Sequence, residues 1–203
     1  MKIVEKNISN LIKVNLTDEL LKAASFLAKQ RMLFEYPRKG YGTYNPENHL
    51  INLQYGYIGE LSFLKFVTEY FNKKYASLTP NERFEKLKDE KFSYNFIIGQ
   101  TDSGFDFQIK NKEIDVKTYG TKLFSNINNI FKYNLLIDMR QAQTHKADIY
   151  IQTFIIGNGK PELCVLAGFC EGLPPINYHF PQPAHALSVS KLYAMNELLI
   201  KFF

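Results

Sequence analysis

Apolar and polar residues alternate along two neighbouring stretches in the middle of the chain. The alternation runs over residues 105–109 and again over residues 113–119, with a polar turn at residues 110–112 between them. Side chains two residues apart share one face of a strand, so this period is typical of extended structure. The pattern therefore predicts a β-hairpin whose second strand covers residues 113–119.

Helical spacing flanks the predicted hairpin on both sides. Thr17 precedes two acidic residues and an apolar stripe at i, i+4 and i+7, which predicts a helix over residues 17–33. A second apolar stripe predicts a helix over residues 56–71, with Glu60 near its start. Residues 191–202 have the spacing of a closing helix.

Two segments lack a clean period. Residues 35–55 are rich in glycine, proline and asparagine and predict a long loop. Loops longer than about 12–15 residues tend to be functional or mobile, and the basic and aromatic residues here are of the kind that contact a phosphate backbone. The alternative is a flexible surface loop. Residues 79–94 are dominated by charge and predict a solvated connection or a surface helix with little chemistry.

The order of the predicted elements indicates the fold class. Further apolar runs predict strands over residues 135–139, 148–156 and 163–169. No regular alternation of strand and helix appears, which argues against a doubly wound parallel sheet. A chain of 203 residues can bury one substantial core but is short for two. We expect a single α/β domain over residues 1–203, with a mixed central β-sheet flanked by helices.

The composition is ordinary for a globular protein with a modest positive charge. Hydrophobic residues make up 45%, charged residues 22%, and the net charge of +5 favours a polyanionic partner only weakly. No run approaches the roughly 18 apolar residues that span a bilayer, and the first residues do not resemble a signal peptide. We therefore expect no membrane partner and a cytoplasmic location. Cys164 and Cys170 lack metal-ligand spacing, which predicts buried thiols in a reducing compartment.

The second strand of the hairpin carries a carboxylate and an ammonium group on one face. Alternation places Glu113, Asp115 and Lys117 on that face, and closure of the hairpin brings Asp106 towards Asp115. Converging carboxylates without a nearby histidine or cysteine suit Mg²⁺ and metal-assisted phosphodiester hydrolysis. The alternative is the solvated face of an amphipathic strand. The same D-x-K spacing occurs at Asp89-Glu90-Lys91, in a charged run, so the triplet alone says little.

The segments around the second triplet give it a context. Gly104-Phe105-Asp106-Phe107 comes before Ile114-Asp115-Val116-Lys117-Thr118, and Gly56-Tyr57-Ile58-Gly59-Glu60 lies upstream of both. In this order they resemble the PD-(D/E)XK, or restriction-endonuclease-like, nucleases. In that family an acidic residue on one strand is followed by (D/E)-x-K on the next, often after a helix that bears a glutamate. The resemblance covers roughly residues 54–120. The proline of the family pattern is absent, and Phe105 stands in its place.

The resemblance implies a restriction-endonuclease-like core with a metal-dependent catalytic site. It makes Asp106 and Asp115 metal ligands together with the Val116 carbonyl, and Lys117 the group that orients the attacking water or offsets developing charge. Glu60 would be an outer ligand. The expected metal is Mg²⁺, with Mn²⁺ as a substitute. For Glu60 the alternative is a structural role, since the helix dipole favours a glutamate in a first helical turn.

These observations predict a metal-dependent deoxyribonuclease, more readily an endonuclease than an exonuclease, acting in restriction, repair or defence. DNA is the expected partner, RNA stays open, and a homodimer is expected because many nucleases of this fold pair two sites to cut two strands. The competing hypothesis is a non-catalytic nucleic-acid-binding or assembly module that keeps the fold. A third is an unrelated α/β enzyme in which the acidic hairpin is incidental. Candidate nucleic-acid contacts, each of which fits a solvated surface residue equally well, are Arg31, Arg38, Lys39, Tyr41, Tyr44 and Gln152.

Overall fold

The computed structural model describes residues 1–33, 45–95, 105–119, 123–178 and 183–203. Five α-helices lie within these ranges: α1 (Asp18–Met32), α2 (Pro46–Lys74), α3 (Pro80–Asp89), α4 (Met139–Thr144) and α5 (Met195–Phe202). The strands are β1 (Ile12–Asn15), β2 (Ser93–Tyr94), β3 (Phe107–Ile109), β4 (Lys112–Thr118), β5 (Asn134–Asp138), β6 (Ile149–Ile156), β7 (Leu163–Glu171), β8 (Ile176–Tyr178) and β9 (Ala184–Ser188).

The strands form two sheets. The larger has six strands in the order β1-β7-β6-β4-β3-β2, and the smaller has three in the order β5-β9-β8. In the larger sheet only the pairing of β4 with β6 is parallel, and its other neighbouring strands are antiparallel. The predicted α/β class with a mixed sheet flanked by helices is therefore confirmed.

The predicted hairpin is present as β3 and β4. Phe107 pairs with Ile114 and Ile109 with Lys112, so the reversal falls at Lys110 and Asn111. Lys110 adopts a positive φ of 46°, the left-handed conformation that a tight turn of this kind requires. The register fixes which residues of β4 stand beside which residues of its other neighbour, β6.

Hydrophobic clusters cover both faces of the larger sheet. One cluster joins Ile151 of β6 to Phe63 of α2 and to α1 and α5, and the other joins Tyr150 of β6 to Leu135 of β5. A strand that is covered on both faces has a nearly continuous run of apolar residues in its sequence, and β6 has this pattern. The strand next to it, β4, thereby lies in the interior of the fold.

The predicted helix over residues 17–33 is confirmed as α1, and the Thr17 side chain accepts a hydrogen bond from Leu20 N–H as its cap. The prediction of a loop over residues 35–55 is wrong for its second part, because α2 begins at Pro46. The Asn45 side chain caps α2 by accepting from the N–H groups of Glu47 and Asn48. Asparagine followed by proline is as much a helix start as a turn, which explains the error.

Two other assignments change, and the surface helix expected in the charged segment is present. The segment predicted as a strand at residues 135–139 is β5, but it belongs to the smaller sheet. The closing helix starts at Met195, because residues 189–191 form a separate 3-10 turn. The charged segment at residues 79–94 contains the surface helix α3, whose Thr79 and Glu82 form a reciprocal capping box, followed by the short strand β2.

Cys164 and Cys170 are free and buried, as predicted, and burial raises the pKa of each thiol to about 12. None of the helices in the described ranges has the length and apolar character needed to cross a membrane.

Candidate active site

The interior strand β4 carries the Asp115–Lys117 pair. Lys117 Nζ lies 2.7 Å from Asp115 Oδ2, and only 4% of the surface of Asp115 is exposed. The apolar neighbours Ile114 and Val116 belong to the cluster on the helix side of the sheet, as the alternation predicts. The alternative of a solvated strand face is therefore wrong for Asp115. A carboxylate in this position depends on its ammonium partner, because an unpaired charge inside a protein is strongly unfavourable.

A second group, from the helix that follows β5, holds Asp115. Gln141 Nε2 donates a hydrogen bond of 2.9 Å to Asp115 Oδ2. Gln141 lies on the short helix α4, which follows β5 directly and begins at the cap residue Asp138. The sequence analysis missed Gln141, since no spacing relates it to the hairpin. Only the packing of the smaller sheet against the larger one brings it to the site.

Asp106 directly precedes β3 and continues its pairing with β4. Its N–H donates to the Ile114 carbonyl at 2.8 Å, and its carboxylate Oδ2 accepts from Val116 N–H at 2.7 Å. The carboxylate therefore lies against the main chain of the D-x-K triplet. The predicted approach of Asp106 to the triplet is confirmed in this respect.

The surroundings of Asp106 hold the pKa of its carboxyl group well above the ordinary range. The largest cause is the loss of solvent around the group, followed by the negative charges of Glu60 and Asp115; Val116 N–H and Lys117 act in the opposite direction. The negative charges of Glu60 and Asp115 therefore oppose the ionisation of Asp106. A cation bound beside them would relieve that opposition.

Glu60 lies in the middle of α2, not in a first helical turn. The structural explanation by the helix dipole is therefore wrong, because that effect is confined to the terminal turns. Tyr94 Oη donates a hydrogen bond of 2.8 Å to Glu60 Oε2, and the Tyr94 ring stacks on Phe107 with 4.5 Å between centroids. The segment containing Tyr94 was predicted to carry little chemistry. Burial, and next the charge of Glu60, raise the pKa of Tyr94 well above its usual value.

Gly59 sets the distance between α2 and the sheet. A Cβ atom at this position would overlap Thr118 Oγ1 and lie 2.7 Å from Thr153 Oγ1. These two hydroxyl groups are 2.9 Å apart and bridge β4 to β6 beneath the helix. The missing side chain lets α2 lie directly on both strands, and this contact brings the next residue, Glu60, to Asp106.

Lys117 and Gln152 both line a cleft of about 390 Å³. Gln152 is only 2% exposed, and its Nε2 donates to the carbonyls of Lys117 and Thr153 at 2.9 and 2.8 Å. The other lining residues are Asn52, Thr118, Tyr119, Asn134 and Leu136. The predicted contact of Gln152 with nucleic acid stays a prediction, now attached to a defined cleft.

The oxygen-bearing groups of Asp106, Asp115 and Val116 are of the kind that Mg²⁺ prefers, but the described side chains do not form a closed metal site. Among the described residues there is no group of three or more His, Cys, Asp or Glu side chains placed to hold one metal ion. Asp106 and Asp115 would supply two carboxylates and Val116 a main-chain carbonyl, with water completing the coordination. Mg²⁺ binds in this way, since it usually retains several waters.

The remaining candidates for contact with nucleic acid are Arg31 and four residues of the segment that follows it. Arg31 lies in the last turn of α1, and its predicted contact with phosphate stays a prediction. Arg38, Lys39, Tyr41 and Tyr44 lie outside the described residues, as does Gly104.

Comparisons with known proteins add no relative to this picture. No family model, no curated protein and no solved structure matches the chain.

Proposed function

We propose that the protein is a Mg²⁺-dependent nuclease with a restriction-endonuclease-like core, and that it hydrolyses phosphodiester bonds in DNA. The observation that carries the proposal is the hydrogen bond from Val116 N–H to Asp106 Oδ2 beside the buried Asp115–Lys117 pair. This bond joins the acidic residue of one strand to the D-x-K triplet of the next, in an interior strand where a solvated role does not explain the charges.

Each residue has a defined part in this proposal. Asp106 and Asp115 would hold the cation with the Val116 carbonyl, and Mg²⁺ bound there would supply Lewis-acid polarisation of the phosphodiester. Lys117 donates hydrogen bonds from Nζ to the attacking water or to a phosphoryl oxygen, and its charge offsets the negative charge that develops there.

The supporting groups set the orientation of these side chains. Gln141 fixes Asp115 Oδ2, and Tyr94 fixes Glu60 Oε2 by donating its hydroxyl hydrogen. We propose Glu60 as an outer ligand that acts through water, because Tyr94 already occupies one of its oxygens. Residues that hold metal ligands in place commonly change metal affinity by about 10- to 100-fold when they are removed.

The test is cleavage of supercoiled plasmid and of single-stranded DNA by the wild-type protein, Asp115→Ala and Lys117→Ala. Each protein is assayed with Mg²⁺, with Mn²⁺ and with EDTA. The proposal expects metal-dependent cutting by the wild type, loss of cutting in both variants, and circular dichroism spectra that match. Unchanged cutting by the variants, or cutting in EDTA, contradicts the site assignment.

The alternative of a non-catalytic nucleic-acid-binding or assembly module makes a different prediction for metal binding. A nuclease of this kind gains thermal stability from Mg²⁺ or Mn²⁺, and Asp115→Ala removes that gain. A module that only binds nucleic acid binds DNA, and adding a metal ion does not change its unfolding temperature. The unrelated α/β enzyme predicts full activity on another substrate after Lys117→Ala.

The biological setting is a further part of the proposal. We propose an endonuclease acting in restriction, repair or defence, with RNA as a second substrate to be assayed beside DNA. A homodimer is expected if both strands of a duplex are cut together. Sedimentation of the protein with and without a DNA duplex measures that state.

A further inference from the structure

The cleft beside Lys117 has the size and lining of a ligand site. Its volume of about 390 Å³ falls within the range of small-molecule sites, and Lys117, the partner of Asp115, is one of its lining residues. Its wall combines one cation with amide and aromatic side chains from α2, β4, β5 and β6. Metal binding by Asp106 and Asp115 does not use this wall.

Gln152 presents one kind of polar atom to the cleft. Its Nε2 donates to the carbonyls of Lys117 and Thr153, and these two bonds use both amide hydrogens. The atom that remains for a ligand is the carbonyl oxygen Oε1, which accepts hydrogen bonds. Because Gln152 is almost completely buried, the two bonds hold that oxygen in a fixed position.

Asn52 on α2 presents a second acceptor. Its Oδ1 atom is buried and has no hydrogen-bond partner in the described part of the chain. Buried amide oxygens are nearly always paired, because a buried acceptor without a partner is destabilising. A ligand that donates a hydrogen bond in the cleft accounts for this atom.

Tyr119 forms the aromatic part of the wall. Its ring stacks on Phe154 with 5.7 Å between centroids and meets Tyr133 at 4.7 Å, so neighbouring rings hold it in place. Fixed aromatic side chains are the usual contacts of unstacked bases in single-stranded nucleic acid.

We propose that this cleft binds one unpaired nucleobase that carries an exocyclic amino group, next to the phosphate that Lys117 contacts. The amino group donates to Asn52 Oδ1 and Gln152 Oε1, and the base packs on Tyr119. The inference rests on the proposed nuclease function and adds its substrate class: single-stranded nucleic acid, or a base extruded from a duplex.

The first test is nucleotide binding in EDTA, followed by NMR or calorimetry. The probes are inorganic phosphate and the nucleotides dCMP and dUMP: cytosine carries an amino group at C4 and a hydrogen-bond acceptor at N3, whereas uracil carries a carbonyl oxygen at C4 and an N–H group at N3. We expect dCMP to bind about tenfold more tightly than dUMP, the effect of one well-placed hydrogen bond. Equal binding of the two nucleotides, or of inorganic phosphate and dCMP, overturns the inference.

Asn52→Leu is the decisive variant, and Asn48→Leu, at an exposed position one turn earlier on the same helix, is its matched control. Asn52→Leu removes the unpaired acceptor, so it keeps the fold while it lowers the preference for dCMP, because Gln152 Oε1 still accepts from the amino group; Asn48→Leu retains the full preference. If Asn52→Leu keeps the full preference, the inference is wrong. If its unfolding transition is lost, Asn52→Asp takes its place, and that variant must alter the ratio of dCMP to dUMP binding.

A cleavage assay separates this inference from the proposed function. Cutting of single-stranded DNA without any preference of the protein for dCMP overturns the base site and leaves the nuclease. A clear preference for dCMP without cutting in any metal overturns the nuclease and leaves a nucleotide-binding cleft.

Discussion

Two D-x-K triplets in this chain have the same spacing and very different surroundings. In Asp89-Glu90-Lys91 the aspartate ends the surface helix α3, its side chain is 69% exposed, and it lies 3.4 Å from Lys86. In Asp115-Val116-Lys117 the aspartate lies on an interior strand, its side chain is 5% exposed, and Lys117 is 2.7 Å away. The first pair is an ordinary surface contact, whose contribution to stability is small.

The comparison shows that the surroundings of the triplet, and not its spacing, determine whether its charges are solvated by water or held by protein groups. Water solvates the charges of the first triplet. Protein groups surround the charges at the second triplet. Gln141 and Lys117 contact Asp115, and Val116 N–H donates a hydrogen bond to the neighbouring Asp106. Fixed groups in a water-poor site interact strongly with a charged substrate, whereas solvated groups do not. Four predictions compare the two environments.

The largest effect is expected on cleavage. Asp115→Ala and Lys117→Ala should each lower metal-dependent cutting on the order of 10²-fold or more, because in the proposed nuclease Asp115 holds the metal ion and Lys117 contacts the reacting phosphate or the attacking water. Asp89→Ala and Lys91→Ala, the same substitutions in the exposed triplet, should cut like the wild type. Initial rates on plasmid DNA give the comparison. Equal rates for all four variants would remove the distinction between the triplets.

The second effect concerns the contact of α2 with β4. Gly59→Ala should destabilise the fold by about 1–3 kcal/mol, because the added methyl group overlaps the Thr118 hydroxyl group. Gly56→Ala is the matched change one turn earlier, where a Cβ atom meets nothing within 4 Å. It should stabilise α2 by about 0.5–1 kcal/mol. Urea unfolding measures both, and a stable Gly59→Ala protein would show that the close approach is not needed.

The third effect is a dependence of stability on pH. Since the pKa of Asp106 is higher in the folded protein than in the unfolded chain, the folded state binds more protons. Stability therefore falls as the pH rises from the ordinary carboxyl pKa towards the raised value. Asp106→Asn keeps an acceptor for Val116 N–H and removes this loss of stability. The stability of the variant relative to that of the wild type should therefore increase as the pH rises.

Urea unfolding between pH 4 and pH 8 in EDTA tests the Asp106 prediction. Asp89→Asn, in the exposed triplet, is the control and should follow the wild type throughout. A constant difference between Asp106→Asn and the wild type at every pH would contradict the electrostatic explanation.

The smallest effect concerns the partners of the two aspartates. Gln141→Ala leaves Asp115 with one hydrogen-bonded partner fewer inside the protein and should destabilise the fold by about 1–2 kcal/mol. Lys86→Ala removes the surface partner of Asp89 and should change stability by less than about 0.5 kcal/mol. Thermal unfolding of the two variants gives the ranking. The reverse order would mean that Gln141 is not needed to hold Asp115.

The sequence predicted those parts of the structure that depend on local pattern. Alternation located the hairpin and the burial of Ile114 and Val116, and the cap at Thr17 located α1. The start of α2 was wrong because proline after asparagine favours both turns and helix starts, and that error placed Glu60 at a helix end. Tyr94 and Gln141 were missed because they reach the acidic residues only through tertiary packing. Strand β5 was recognised as a strand, but its sheet depends on a partner 50 residues further along the chain.

The parallel pairing of β4 with β6 has a consequence for the order of folding. It joins residues 35 apart in the chain, as the hydrogen bond from Gln152 to the Lys117 carbonyl shows. Such a contact forms only after a long loop has closed, which makes it slow compared with a hairpin. A nascent chain that has reached residue 119 can already form β3 and β4, yet Asp115 is still in water at that stage. The enclosed environment of the triplet is complete only once β6 is in place.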